Sequence, residues 1–384
     1  MSEADRRRVD VREDAFHPRY VVWELTLKCD LACRHCGSRA GRPRSEELSL
    51  AEALEVLDQL RDAGTQEITF IGGEAYLNPD WLHIVRAATE RGIRAGLTSG
   101  ARALTAERCQ QAAEAGLKSV SVSIDGLEET HDTLRAVKGS FKAATAAIAH
   151  VKAAGMHAFA NTQFNRLNLD ELEELAETLF ALGIQSWQVQ LTGPMGRAAD
   201  RPEWLLQPYE MLELIPRLGR VAQKAQGRGV TVNAGNNLGY FGPWERWLRV
   251  HPYLGCSAGR HLLGIESNGD TKGCPSLPSG PYVKGNLRTE RLDEVWSRLT
   301  FARERTTEEL WGHCKGCYYA EVCKGGCAWT SHTLLGKRGN MPYCHHRAET
   351  LQKAGRRERI ELAEQAPGDP FDFGRYRLIE ENAP

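Results

Sequence analysis

Three cysteines, Cys29, Cys33 and Cys36, close the string Leu25-Thr-Leu-Lys-Cys-Asp-Leu-Ala-Cys-Arg-His-Cys36. Thiolates are the usual ligands of iron–sulfur clusters, and most clusters take four of them. A CxxxCxxC triad supplies three and leaves one iron free to coordinate something else, which is a reason to look for catalysis. Zinc ribbons are built from CxxC pairs instead. A second group lies far downstream: Cys256, Cys274, Cys314, Cys317, Cys323, Cys327 and Cys344. Read alone, that group suits either zinc or iron–sulfur, because CxxC pairs with distant partners serve both. Cys109 fits neither group and reads as a small buried apolar residue.

The elements that must hold these thiols follow a regular rhythm. Apolar runs predict strands over 21–27, 67–71, 93–98, 119–124, 158–162 and 186–190. Helical spacing predicts helices over 50–63, 81–91, 105–115, 141–154 and 169–182 between them. This succession of βα units predicts an α/β fold with a parallel sheet, a partial (β/α)6 TIM-like barrel. The strand C-terminal ends, where barrel sites lie, carry Cys29, Gly72-Gly73-Glu74, Ser99 and Asp125. After Gln190 the rhythm stops. A loop over 191–198 and a helix over 208–226 lead to a segment over 233–255 rich in Tyr240, Phe241, Trp244, Trp247 and Tyr253. Such aromatics pack an interface or line a channel. The expected organisation is a charged segment over 1–19, the barrel over 20–232, a bridge over 233–255, a small cysteine-rich domain over 256–350 and a charged surface tail over 351–384.

The chain has 384 residues and a formal net charge of −1, which gives no electrostatic case for nucleic acid or acidic lipid. Its start, Met1-Ser-Glu-Ala-Asp-Arg-Arg-Arg, lacks the apolar run of a signal peptide, and no stretch is long and apolar enough to span a bilayer. A cytoplasmic protein is expected. Eleven cysteines in a reducing compartment point to metal rather than disulfides.

The triad resembles the signature of radical S-adenosylmethionine (SAM) enzymes, CxxxCxΦC, with His35 at the aromatic position. The string Phe70-Ile71-Gly72-Gly73-Glu74 is similar to the Gly-Gly-Glu turn of that family, although Ala75 replaces the usual next proline. The resemblance implies that this turn holds the methionine amino group of SAM. Glycines there allow close backbone approach, and a carboxylate accepts from an ammonium. It further implies that Ser123 and Asp125 serve the ribose hydroxyls and Arg135 the SAM carboxylate, with Ser99 standing where asparagine is frequent. Without the resemblance, Asp125-Gly126 is an ordinary turn.

The downstream cysteines resemble the seven-cysteine SPASM domain at every position of its spacing. That pattern implies one auxiliary cluster on Cys314, Cys317, Cys323 and Cys344. It implies another on Cys256, Cys274 and Cys327, whose remaining corner is open or taken by another group; His251, His261, His313, His345 and His346 are nearby candidates in sequence. The implied cofactors are SAM and three 4Fe-4S clusters. The implied reaction is reductive cleavage of SAM to a 5′-deoxyadenosyl radical that removes hydrogen from a substrate.

SPASM enzymes mostly act on peptides, so a ribosomally made peptide is the expected substrate, to be crosslinked, epimerised or oxidised. A small-molecule radical dehydrogenase or decarboxylase is the alternative. A non-catalytic electron carrier is disfavoured, since a carrier has no use for an open-cornered triad. Pro275 stands where the sulfatase-maturing branch has an aspartate, which argues against that activity. The expected partners are an electron donor such as flavodoxin or ferredoxin and, with only about twenty residues before the first strand, a separate leader-peptide-binding protein. Neither nucleic acid nor membrane is expected.

Overall fold

The structure, a computed structural model, describes residues 16–249, 255–300 and 305–384. Residues 1–15 of the charged N-terminal segment, and His251 and Tyr253, lie outside the described residues. Seven strands alternate with helices in chain order: β1 (Tyr20–Glu24), α1 (Leu50–Asp62), β2 (Glu67–Ile71), α2 (Trp81–Glu90), β3 (Arg94–Ser99), α3 (Ala106–Glu114), β4 (Ser119–Ser123), α4 (Glu128–Arg135), α5 (Ser140–Ala153), β5 (His157–Phe164), α6 (Leu172–Ala181), β6 (Ser186–Leu191), α7 (Met211–Gln226) and β7 (Thr231–Ala234). Each strand from β1 to β7 pairs in parallel with the next. The sheet has β7 at one edge and does not close, so the architecture is a partial barrel.

Local sequence accounts for these elements. In α1, Ala53, Val56, Leu57 and Leu60 are buried at helical spacing, and Ser49 with Glu52 forms a capping box at its start. In β5 every second residue is buried, as a strand with one face in the core requires. Cys109 sits on α3 in the core, as a small apolar residue would.

Two features depart from the expected plan. The seventh strand, β7, crosses the predicted boundary at 232. It was illegible because only four residues, Thr231–Ala234, alternate between exposed and buried. The cysteine-rich segment is also not a separate body. After the short α8 (Glu245–Leu248), strands β8 (Leu262–Ile265), β9 (Asp270–Lys272) and β10 (Gly285–Asn286) extend the same sheet, with β8 parallel to β1. Helices α9 (Leu292–Arg298), α10 (Ala320–Cys323), α11 (Ala328–Leu335) and α12 (His345–Lys353) follow. In the bridge, Phe241 is buried and Trp244 lies over Gly219 of α7, so these aromatics pack an interface.

The expected surface tail is corrected. Strands β11 (Arg356–Glu364) and β12 (Arg375–Asn382) form an antiparallel hairpin with Ile360 and Tyr376 buried. Its charges misled the sequence reading because most pair across the hairpin, as Arg356 does with Glu380 and Arg357 with Glu381. One pair is buried: Arg347 of α12 makes two 2.6 Å bonds to Glu358 and a third to Asn340. Removing one partner leaves a buried charge uncompensated. Glu358→Ala is therefore expected to cost about 3 kcal/mol and lower Tm by about 5 °C. The exposed Glu361→Ala should leave Tm almost unchanged, and anaerobic thermal melting of the two variants checks the difference.

Candidate functional site

The thiol triad occupies the loop between β1 and α1, and main-chain bonds fix its course. Cys29 N–H donates to Gly41 O at 3.2 Å, and Arg34 N–H donates to Leu134 O at 2.8 Å. Arg197, in the loop after β6, clamps the same segment. Its Nε donates to Cys33 O at 2.6 Å, its Nη1 to Ala40 O at 3.1 Å, and its backbone N–H to Cys36 O at 2.9 Å. Sequence reading missed Arg197, because its partners are carbonyls and leave no side-chain motif.

The turn after β2 meets this loop from the other side. Gly73 N–H donates to Thr26 O at 2.7 Å and Glu74 N–H to Lys28 O at 2.8 Å. A Cβ at Gly72 would lie 2.3 Å from Thr26 O, and one at Gly73 would lie 2.2 Å from Lys28 O. The glycines thus serve a close approach of backbone to backbone, where the sequence had suggested an approach to a ligand. Glu74 is 2 % exposed; its carboxylate accepts from Ser99 Oγ at 2.5 Å and Gly100 N–H at 2.6 Å. Burial pushes its carboxyl up to about 7 against the pull of those two donors.

Between loop and turn lies a cavity of about 240 Å³. Cys29, Cys33, Cys36, Gly72, Gly73, Glu74, Ser99, Ser123, His35 and Arg135 all border it, so most residues singled out from the sequence converge there. Asn161 and Gln163 from β5 join them; nothing in the sequence had marked them. Asp125 does not face the cavity. It is 1 % exposed and accepts from His35 Nε2 at 2.9 Å, from Arg135 Nη2 and from Gln163 N–H at 2.8 Å. Both of its oxygens thus have partners within the protein, Oδ2 in His35 and Arg135 and Oδ1 in Gln163. Burial alone would raise its carboxyl, but Arg135 and His35 hold it well below the usual carboxylate range.

Two orphaned atoms give the chemistry of the donor set. Cys29 Sγ and carboxylate oxygens of Asp30 and Glu74 lie within 4.8 Å of one another, which puts two carboxylates against one thiol. Among the described residues, Asp30 Oδ1 and Arg135 Nε are both buried without a hydrogen-bond partner. A carboxylate oxygen and a guanidinium N–H are the complements of an ammonium and a carboxylate, the two ends of an amino acid.

Cys314, Cys317, Cys323 and Cys344 border one small pocket, and Cys256 lies near Cys274 and Cys327. Cys274 and Cys327 each sense the charge of Cys256, while Cys323 and Cys344 each sense that of Cys314. Burial pushes Cys274 and Cys323 up to about 12, so these thiols ionise only against a strong counter-charge. His313 and His346 border the same pocket as Cys314, Cys317, Cys323 and Cys344.

Residues 23–193 match the model of the radical SAM superfamily, and residues 256–318 match that of the SPASM iron–sulfur cluster-binding domain. The chain belongs to the radical SAM superfamily. It is 30% identical over 363 residues to an AdoMet-dependent heme synthase of Oleidesulfovibrio alaskensis, covering 88% of this chain and 90% of that one. It is 28% identical over 334 residues to a mycofactocin maturase of Mycobacterium ulcerans, covering 85% and 88%. Streptococcus suis SuiB bound to S-adenosylmethionine shares the fold, with a TM-score of 0.67 at 18% identity over 86% of this chain and 77% of that one. This radical SAM protein is thus an enzyme, with an iron–sulfur-binding SPASM domain. Among the described residues no helix is long and apolar enough to cross a membrane.

His131 behind the site yields a pH prediction. Its Nδ1 accepts the Asp125 N–H at 3.1 Å, which requires a neutral ring, and burial with Arg135 nearby lowers its pKa to about 3. The folded value lies below the unfolded one near 6.5, so the unfolded chain binds the extra proton as pH falls. The stabilisation is complete above about pH 6.5 and is lost towards pH 3, by about 2 kcal/mol already at pH 5. His131→Asn should show a shallower loss of Tm between pH 7.5 and 5 than the parent, read by thermal melting across that range.

Proposed function

We propose that this enzyme cleaves S-adenosylmethionine reductively at the Cys29/Cys33/Cys36 site and uses the product to remove a hydrogen atom from a peptide. The observation that carries the reading is the pairing of a buried Glu74 with the thiol triad across one cavity. When bound, a 4Fe-4S cluster and SAM together supply a 5′-deoxyadenosyl radical. The chain's part is to bind and orient. Cys29, Cys33 and Cys36 hold the cluster, and two further clusters sit on the downstream thiol sets.

Glu74 and Asp30 accept from the methionine ammonium, and Arg135 Nε donates to its carboxylate. Ser123 meets the ribose hydroxyls, with Asn161 and Gln163 on the same wall. Ser99 and the Gly100 N–H hold Glu74 in place, and Arg197 keeps the loop carbonyls turned away from the cavity. Asp125 acts behind this surface, bonded to His35 at its edge.

A peptide substrate is supported by the similarity to mycofactocin maturase and by the fold shared with SuiB, which has also been crystallised with its precursor peptide. Such an enzyme would act in the cytoplasm with a reducing partner such as flavodoxin or ferredoxin, and with a separate leader-binding protein. A second reading, a small-molecule substrate, is favoured by one observation: the similarity to a heme synthase reaches 30% identity, against 28% for the mycofactocin maturase, and spans both parts of the chain.

The test is anaerobic reconstitution with iron, sulfide, SAM and a strong reductant, followed by assay of 5′-deoxyadenosine. The parent should form it, and Cys33→Ala should abolish it. Glu74→Gln should reduce it at least about tenfold while iron content stays constant, as expected for loss of a charge-assisted bond. No product from a fully iron-loaded parent overturns the reading. Product formation stimulated by candidate precursor peptides supports the first substrate class; stimulation by an iron porphyrin carrying carboxylates replaces it with the second.

A further inference from the structure

The contacts of Arg135 exceed what recognition of a cofactor carboxylate requires. The residue is 8 % exposed and ends α4, where Ala136 turns left-handed at φ 57°. Its guanidinium meets two groups and leaves one nitrogen open. Nη1 donates to Cys33 Sγ at 3.6 Å, Nη2 donates to Asp125 Oδ2, and Nε is the orphan already described.

The end of α4 is held from several sides, so this placement is not a chance rotamer. Leu134 O accepts from Arg34 N–H at 2.8 Å and faces His35 Nδ1 at 3.3 Å, which ties the helix end to the cysteine loop. Asp132 accepts from Ser140 Oγ and Phe141 N–H at 2.8 Å and fixes the turn into α5. Glu171 accepts from Leu127 N–H at 2.8 Å at the other end. Asp125 is itself pinned by His35 and Gln163. Its carboxylate compensates a guanidinium that would otherwise be buried alone, and it aims one arm of the fork at sulfur.

We propose that Arg135 is a positioning residue that sets the reduction potential of the cluster held by Cys33, with Asp125 as its counterweight. Potentials of iron–sulfur clusters depend on hydrogen bonds to the ligand sulfurs and on nearby charge. An N–H directed at Cys33 Sγ and a positive charge behind it both favour the more negative, reduced state, and so raise the potential. Asp125 opposes part of that effect by its own charge while keeping the donor aligned. The two residues therefore act with opposite sign. A role confined to SAM binding would show neither effect when SAM is absent, and a merely structural role would not give opposite signs.

The inference rests on the cluster assignment under Proposed function, and its test separates the two. The full-length reconstituted protein is titrated potentiometrically without SAM. The N-terminal cluster is followed by the electron paramagnetic resonance signal whose g values change when SAM is later added. Arg135→Gln is expected to reduce the ratio of reduced to oxidised cluster about tenfold at a fixed solution potential, which is about 59 mV for one electron. Asp125→Asn keeps an oxygen for the guanidinium but loses the charge, and should shift the ratio upward. Arg135→Lys keeps the charge without the fork and should fall between the parent and Arg135→Gln; it also serves if Arg135→Gln does not load iron.

A SAM-free potential unchanged in the arginine variants, with only SAM affinity weakened, overturns the inference and leaves Arg135 as a carboxylate contact. Shifts of the same sign at Arg135 and Asp125 overturn it as well. A parent protein with no SAM-sensitive cluster signal overturns the cluster assignment itself.

Discussion

Everything at the thiol end depends on how closely the turn after β2 approaches the chain leaving β1. Two main-chain bonds, Gly73 N–H to Thr26 O and Glu74 N–H to Lys28 O, bring the segments together at a distance that excludes any side chain at 72 or 73. That contact places Glu74 opposite Cys29 and buries it. Gly100 extends the constraint, since a Cβ there would lie 2.4 Å from Leu31 of the cysteine loop and 2.8 Å from Glu74. Three glycines at two strand ends thus define one cavity wall. A methyl group at any of them would separate the elements that the site needs in register.

The cysteine-rich part is held to this barrel by a sheet and by buried charge. Strand β8 continues the sheet beyond β1, and Arg44 beyond the cysteine loop reaches both Glu24 of β1 and Glu266 just past β8. Lys272, fully buried on β9, completes the set through Glu266 at 2.6 Å and lies 4.4 Å from the Phe371 ring centroid. The C-terminal hairpin enters the same seam. Asp372 accepts from Arg39 at 2.7 Å, and Phe371 packs with Leu27, Ala40 and Met195 beside Cys29 and Cys36. Removing one member of such a network is costlier than the network is stabilising, because a charge is left behind in the interior. The arrangement therefore specifies one relative position of the two thiol regions more than it adds net stability.

This division explains what could be read from the chain. Apart from α4, which the sequence reading did not include, strands and helices up to β6 were legible within a few residues, because each repeats a period that burial enforces. The thiols and the Gly72-Gly73-Glu74 turn were legible because their chemistry needs fixed residue types at fixed spacing. Arg197, Asn161, Gln163 and Asp30 were not, since each acts through position alone, with partners far away in sequence. Asp125 was noticed for its location, but its contacts to His35 and Arg135 were not legible. A carboxylate at a strand end looks the same whether it meets a ligand or an arginine ten residues on. The hairpin failed for another reason: alternating Arg and Glu reads as a solvated tail until the cross-strand partner is known, and that pairing is a property of the fold.

The electrostatics of the cavity have a direction. Burial raises Glu74 to about 7 and Cys29 to about 12, and the charge of Glu74 makes Cys29 harder to ionise. Asp30 adds to the strain on Glu74 from the same side. Across the cavity, Arg135 is kept charged by Asp125 and Cys33 although burial works against it. One wall therefore gains most from an incoming positive charge, and the other presents a fixed one. A zwitterion oriented ammonium-first towards Glu74 relieves the first wall and satisfies the second, whereas the reverse orientation sets carboxylate against carboxylate. The polarity of the site thus selects orientation before any contact to the rest of a ligand is made. It follows from the buried Glu74, the half-buried Asp30 and one compensated guanidinium, which is a small set of residues to carry so specific a choice.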